Sequence, residues 1–154
     1  MTTEIRHFLI KASRAGYGNN KTVITKEKDG GHTIRFKDGN FSLCDYFYGG
    51  HPYAGQEIIY ENGKPIWAMQ YRGWIHDTDL SQSKIYNTLL KPALLNAPDD
   101  YPFRGPSELD LENGYIYKNR WDGDMTNFQG EETIELNGKE FYKGLYFGGL
   151  VNQS

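Results

Sequence analysis

Cysteine is nearly missing from this chain: Cys44 is the only one in 154 residues. That excludes an intramolecular disulfide framework and any multi-cysteine zinc site, and it fits a reducing cytosol. No apolar run approaches the ~20 residues of a membrane-spanning helix. Met1-Thr2-Thr3-Glu4 lacks the basic start and apolar segment of a secretory signal, so a cytoplasmic protein off the membrane is expected. Positive charge is not in excess either. Lys and Arg number 17 against 20 Asp and Glu, a formal net charge of −3, which is not the basic footprint of a duplex nucleic-acid binder. The four histidines, His7, His32, His51 and His76, show no paired metal spacing. No nucleophile elbow, phosphate loop or dinucleotide fingerprint occurs, and Asp122 and Asp124 are too few oxygens for a calcium site. The sequence therefore names no catalytic residue, no metal and no cofactor.

What the chain does have is aromatic surface. Twelve Tyr, eight Phe and three Trp make up 15% of it, beside eighteen Gly, a strand-and-turn composition. Aromatics beyond the needs of a core belong at an interface or in a ligand pocket. Helical spacing runs from Thr3 to about Ala12 through Ile5, Phe8 and Leu9, and again from Ser81 to Ala97 through Ile85, Leu89, Leu90, Leu94 and Leu95. Pro92 should kink or divide the second helix. Between Lys21 and Gly31 a mobile connection or a short edge strand is expected. Most of the rest reads as strands, with turns expected at Asp38-Gly39, Asn62-Gly63, Asn113-Gly114 and Asn137-Gly138.

The hairpin from Gly55 to Gly73 returns 75 positions later, from Gly130 to Gly148. Carried back to His32 without a gap, the offset keeps nine positions identical: Gly39, Gly55, Glu57, Ile59, Asn62, Gly63, Lys64, Tyr71 and Gly73. Tyr46 matches Trp121. Each copy follows one helix, so the expected fold is α+β: a duplicated α-β-β-β-β unit with antiparallel sheets, pseudo-twofold symmetry and one helix per repeat. The chain is expected to be one domain over residues 1–154, with repeats at about 3–75 and 80–150.

Duplication separates scaffold from function. Residues kept in both copies serve the shared fold, the Asn-Gly turns above all, and Gly55, Gly73 and their copies read as strand-end or bulge glycines. Divergent positions are the candidates. Arg72 and Trp74 become Phe147 and Gly149 in the second copy, and strand parity sets them opposite Trp67, Met69 and Tyr71. A guanidinium beside an indole can stack a planar group and grip an anion. The stiff loop from Tyr101 to Pro106 presents Phe103 and Arg104. Arg120 and Trp121, with Tyr46 and Tyr48 of the corresponding stretch in the first copy, complete the set. Glu57 and Glu132, repeated within strands without any turn role, and Asp45 are the only candidates for acid–base work.

Asp45-Tyr46-Phe47, Gly55-Gln56-Glu57, the run from Gly63 to Tyr71, Pro102-Phe103-Arg104-Gly105-Pro106, Gly123-Asp124 and Tyr146-Phe147-Gly148-Gly149 resemble a small bacterial and phage family of unknown function. Members of that family sometimes follow a helix-turn-helix repressor domain. Lacking such a module, this chain is not expected to act as a repressor. Its size and its Arg-plus-aromatic sets are also similar to those of viral sponge proteins that sequester nucleotide immune signals. The resemblance implies a non-enzymatic, homo-oligomeric protein that binds a small planar anion of the cyclic-nucleotide kind in a phage anti-defence role. An enzyme on a similar ligand and an oligomerising protein-interaction module are the alternatives.

Overall fold

The computed structural model describes residues 1–18, 23–76 and 85–152. Helix α1 (Thr2–Gly18) opens the chain. The strands follow as β1 (Thr25–Lys26), β2 (His32–Asp38), β3 (Phe41–Gly49), β4 (Tyr53–Glu61) and β5 (Lys64–Ile75). A π-helical turn (Tyr86–Leu90) then runs into α2 (Lys91–Leu95). The remaining strands are β6 (Glu108–Asp110), β7 (Tyr115–Asp124), β8 (Asn127–Leu136) and β9 (Lys139–Leu150). All nine strands form one antiparallel sheet in the order β1-β2-β3-β4-β5-β9-β8-β7-β6.

This corrects the expected α+β fold with a helix for each repeat. Among the described residues, the protein is mostly a single nine-stranded sheet with two short helices. The physical reason lies in β5 and β9, the last strand of each copy. Left alone, each would present an unpaired edge; instead they pair with each other, and Tyr71 falls directly opposite Tyr146. Two separate sheets become one. The helical share shrinks as well, because α2 is five residues long. Pro92 cannot donate to the carbonyl four residues back, and the turn before it widens to π geometry. Residues 81–84, where the second helix was expected to start, lie outside the described residues, as do residues 19–22.

Both helices cover the same face. From α1, Ile5, Phe8, Leu9 and Ala12 pack with Leu43, Ile59, Trp67 and Met69 of the first meander. Leu89, Leu90, Ala93 and Leu94 pack with Tyr117, Ile134 and Tyr142 of the second. Along β5, Trp67 and Met69 are buried on this face while Arg72 is exposed on the other. Gly55 and Gly130 are neither strand ends nor bulges. A Cβ at either position would overlap the ring of Tyr71 or Tyr146, the residue paired with each across the sheet. The missing side chain makes room for an inward tyrosine.

Two hairpins turn on left-handed Asn-Gly pairs, Asn62-Gly63 (φ 50° and 80°) and Asn137-Gly138 (φ 51° and 76°), as a type I′ turn requires. In the first hairpin, Asp38 pairs with Phe41, so its turn is Gly39-Asn40, one residue later than expected. Gly63 and Gly138 have open space around the missing Cβ. Substituting Ala at either should therefore cost only the backbone strain, about 1–2 kcal/mol, read as a lower urea midpoint at unchanged slope.

The ungapped offset fails at one place. Three residues, Gly50 to Pro52, join β3 to β4, but only Met125 and Thr126 join β7 to β8. Asp45 pairs with Glu57, whereas Glu132 pairs with Asn119. The spatial counterpart of Asp45 is thus Asn119, not Arg120, and Trp121 corresponds to Phe47, not Tyr46. A one-residue slip sends every side chain to the opposite face.

Candidate functional site

The inward face of the first meander carries a row of Ile34, Asp45 and Glu57 on three adjacent strands. Beside it runs Phe47, Gly55 and Tyr71. Tyr71 lies across the glycine gap and donates its hydroxyl to Oδ1 of Asp45. Tyr53 stands opposite Gly73 in the same way. Here, between the strands and the π-helical turn and α2, lies a cavity of about 320 Å³. Ile24, Ile34, Phe47, Leu90 and Leu94 supply apolar wall, and Tyr53, Tyr71, Tyr86 and His51 supply rings. Among the described residues, Asp45 and Arg104 are the charged ones in its lining. Apolar walls with a few convergent polar groups are the usual form of a small-molecule site.

Arg104 is already engaged. It is 5% exposed and donates from Nε (3.0 Å) and Nη2 to Oε1 of Glu132, itself 1% exposed. Its Nη2 also donates to the Tyr53 hydroxyl at 3.2 Å. Tyr117 donates to Glu132 Oε2 at 2.6 Å and Tyr142 to Oε1 at 2.9 Å. Burial alone works against the guanidinium, but Glu132, Tyr53 and Tyr142 outweigh it and hold the cation firmly protonated. The loop is fixed from behind, since the Gly105 amide donates to Tyr117 and Asn119 donates to the Gly105 carbonyl.

The two halves repeat one motif with different contents. Tyr146 donates to Oδ1 of Asn119 at 2.8 Å, as Tyr71 does to Asp45. Glu132 receives an arginine and two tyrosines. At the positions equivalent to Tyr117 and Tyr142 the first half has Leu43 and Trp67, and the Trp67 indole donates to the Met125 carbonyl. No hydrogen bond reaches the Glu57 carboxyl among the described residues. Burial pushes Glu57 up to about 8, with Asp45 adding repulsion and Arg104 opposing both. Asp45 is lifted by burial to about 6, against the Tyr71 hydrogen bond and Arg104. Burial also lowers His51, so it meets the cavity as a neutral ring.

Comparison with known protein families matches residues 45–151, from the start of this acid pair to the end of the sheet, to DUF5680, a domain of unknown function. The chain belongs to the DUF5680 family. No curated protein and no solved structure matches it. The DUF5680 segment contains Asp45, Glu57, Tyr71, Arg104 and Glu132, while α1, β1 and β2 lie outside it.

The residues singled out in the sequence do not converge in this DUF5680 chain. Arg72 is exposed on the outer face with its guanidinium 5.9 Å from the Trp74 ring. Tyr46 and Tyr48 face outward too, and both hydroxyls bind the Asp29 carboxylate. Arg120 is exposed on that face, but Trp121 points inward and stacks on Tyr101 at 5.0 Å. Phe103 is core, 3.8 Å from Phe128 between ring centroids. Of the eight, Arg104 alone lines the cavity. Missed as ligand residues were Tyr53, Tyr71 and Tyr86, while Asp45 entered only as an acid–base candidate. Their signal was strand parity: Asp45 and Phe47 alternate inward, and each faces an inward residue of the next strand. Among the described residues, no three His, Cys, Asp or Glu cluster to hold a metal, and no helix is long and apolar enough to cross a membrane.

Proposed function

We propose that this DUF5680 chain binds a small organic molecule in the cavity between the first meander and the helical segment from Tyr86 to Leu95, and holds it without turning it over. The observation that carries this reading is the cavity itself. Its walls are apolar and aromatic, and the hydroxyls and charges of Tyr53, Tyr71, Asp45 and Arg104 converge on it. About 320 Å³ lies at the low end of ligand-site volumes and suits one ring system with a polar head. A cyclic dinucleotide brings two nucleosides and two phosphodiesters, and the cavity's guanidinium is already committed to Glu132. The likeness to sponge proteins supports sequestration as the mode.

A fragment screen followed by amide chemical-shift mapping on the full chain tests the reading. Shifts should concentrate on Ile34, Phe47, Tyr71, Tyr86 and Leu90, and the bound fragment should be recovered chemically intact. Shifts confined to Arg72, Trp74 and Arg120 would move the site to the outer face. A fragment recovered altered would make the protein an enzyme working through Asp45 or Glu57.

A further inference from the structure

The internal twin of the cavity shows what kind of head group it takes. In the second half, Glu132 is met by a guanidinium and two phenol hydroxyls, all supplied by the chain. In the first half, Glu57 stands across from Asp45 where Glu132 stands across from Asn119, so one more carboxyl is present, and among the described residues neither acid forms an ion pair. Glu132 also leans over Gly144, where a Cβ would crowd its side chain. Its counterpart beside Glu57 is Met69, 2% exposed, which fills that path. Asp45 lines the cavity, and its one hydrogen bond among the described residues comes from Tyr71. Four aromatic residues besides His51 edge the same space, and aromatic faces attract organic cations. Among the described residues, the charged groups lining the cavity are Asp45 and Arg104; Glu57 is paired with Asp45 across the strands, and Arg104 is neutralised by Glu132.

Building on the cavity reading, we infer that the ligand is an organic cation, an amidinium, guanidinium or ammonium on an apolar or aromatic body, whose head sits on Asp45 with Glu57 behind it. Because burial lifts Asp45 to about 6 and Glu57 to about 8, seating the cation releases protons over that range, and affinity rises with pH from about 6 to 8.

Benzamidine, benzamide and benzoate are nearly the same shape and carry a positive, zero and negative charge. Titrated calorimetrically against the full chain, benzamidine should bind about ten- to a hundredfold tighter than benzamide, the range of a charge-assisted hydrogen bond, and benzoate weakest. Its affinity should increase between pH 6 and 8.5 while that of benzamide stays level. Asp45→Asn, which copies the twin, should bring benzamidine down to the benzamide level measured on the same variant. Thermal melts of the variant verify that it folds. Equal affinities for the three, benzoate tightest, or full benzamidine binding by Asp45→Asn would overturn the cation assignment and leave the cavity reading standing. An absence of benzamidine binding while mapped neutral fragments bind would do the same. Only a cavity that accepts no fragment of any charge would remove both.

Discussion

At pH 8.5, Glu57→Gln should unfold at a higher temperature than the unaltered chain, by roughly 10 °C. Glu57 has an ordinary value of 4.5 and is pushed up to about 8 in the fold, chiefly by burial. A carboxyl with a raised folded pKa keeps its proton more tightly folded than unfolded. Below 4.5 both states are protonated and the group costs nothing; above 8 both are ionised and the whole difference counts against the fold. Stability is therefore lost as pH rises from about 4.5 to 8. At 1.36 kcal/mol per pKa unit the loss is on the order of 5 kcal/mol, and a chain of this size shifts about 2–4 °C per kcal/mol. Asp45 adds a smaller loss of the same sign between its ordinary 3.8 and about 6. Glutamine keeps the shape and cannot ionise, so the variant's melting profile should be nearly flat over pH 6–8.5 and should meet the unaltered chain's near pH 5. Coincident melting curves at pH 8.5 would show that Glu57 is solvated. A residue that weakens its own fold fits a site selected for binding.

The same substitution at the twin position should act in the opposite direction. Glu132→Gln leaves Arg104, 5% exposed, without its carboxylate, and breaking a buried pair from one side costs about 3–5 kcal/mol. Chemical denaturation at pH 7 should show the loss in full. Arg104→Met combined with Glu132→Met should recover part of it, because the uncompensated charge is gone. A neutral Glu132→Gln would mean that water reaches the pair. Two glutamates 75 residues apart, identical in the repeat, would then be told apart by one experiment with opposite signs.

Much of the fold was local and therefore legible. The Asn-Gly turns at 62–63 and 137–138 are set by two left-handed residues, and the inward placement of Trp67 and Met69 follows from alternation along a strand. The first helix was visible in the spacing of Ile5, Phe8, Leu9 and Ala12. The single sheet was not legible, because the pairing of β5 with β9 joins segments far apart in the chain and no local pattern encodes it. The one-residue difference between the β3–β4 and β7–β8 loops was equally hidden. It made Asn119 rather than Arg120 the counterpart of Asp45, and Phe47 rather than Tyr46 the counterpart of Trp121. Aromatic content announced a pocket without saying which rings would edge it.

By itself, then, the sequence determined the duplicated strands, their turns and the supply of aromatic and acidic side chains, all properties of short windows of chain. Tertiary structure alone decided that Glu132 would be satisfied and that Glu57 would meet no cation among the described residues. That outcome depends on where a distant loop brings Arg104 and on which face a loop one residue longer turns Asp45 toward. A carboxylate's role is set by what stands within a few ångströms of it, and across a sheet those neighbours are seldom its neighbours in sequence.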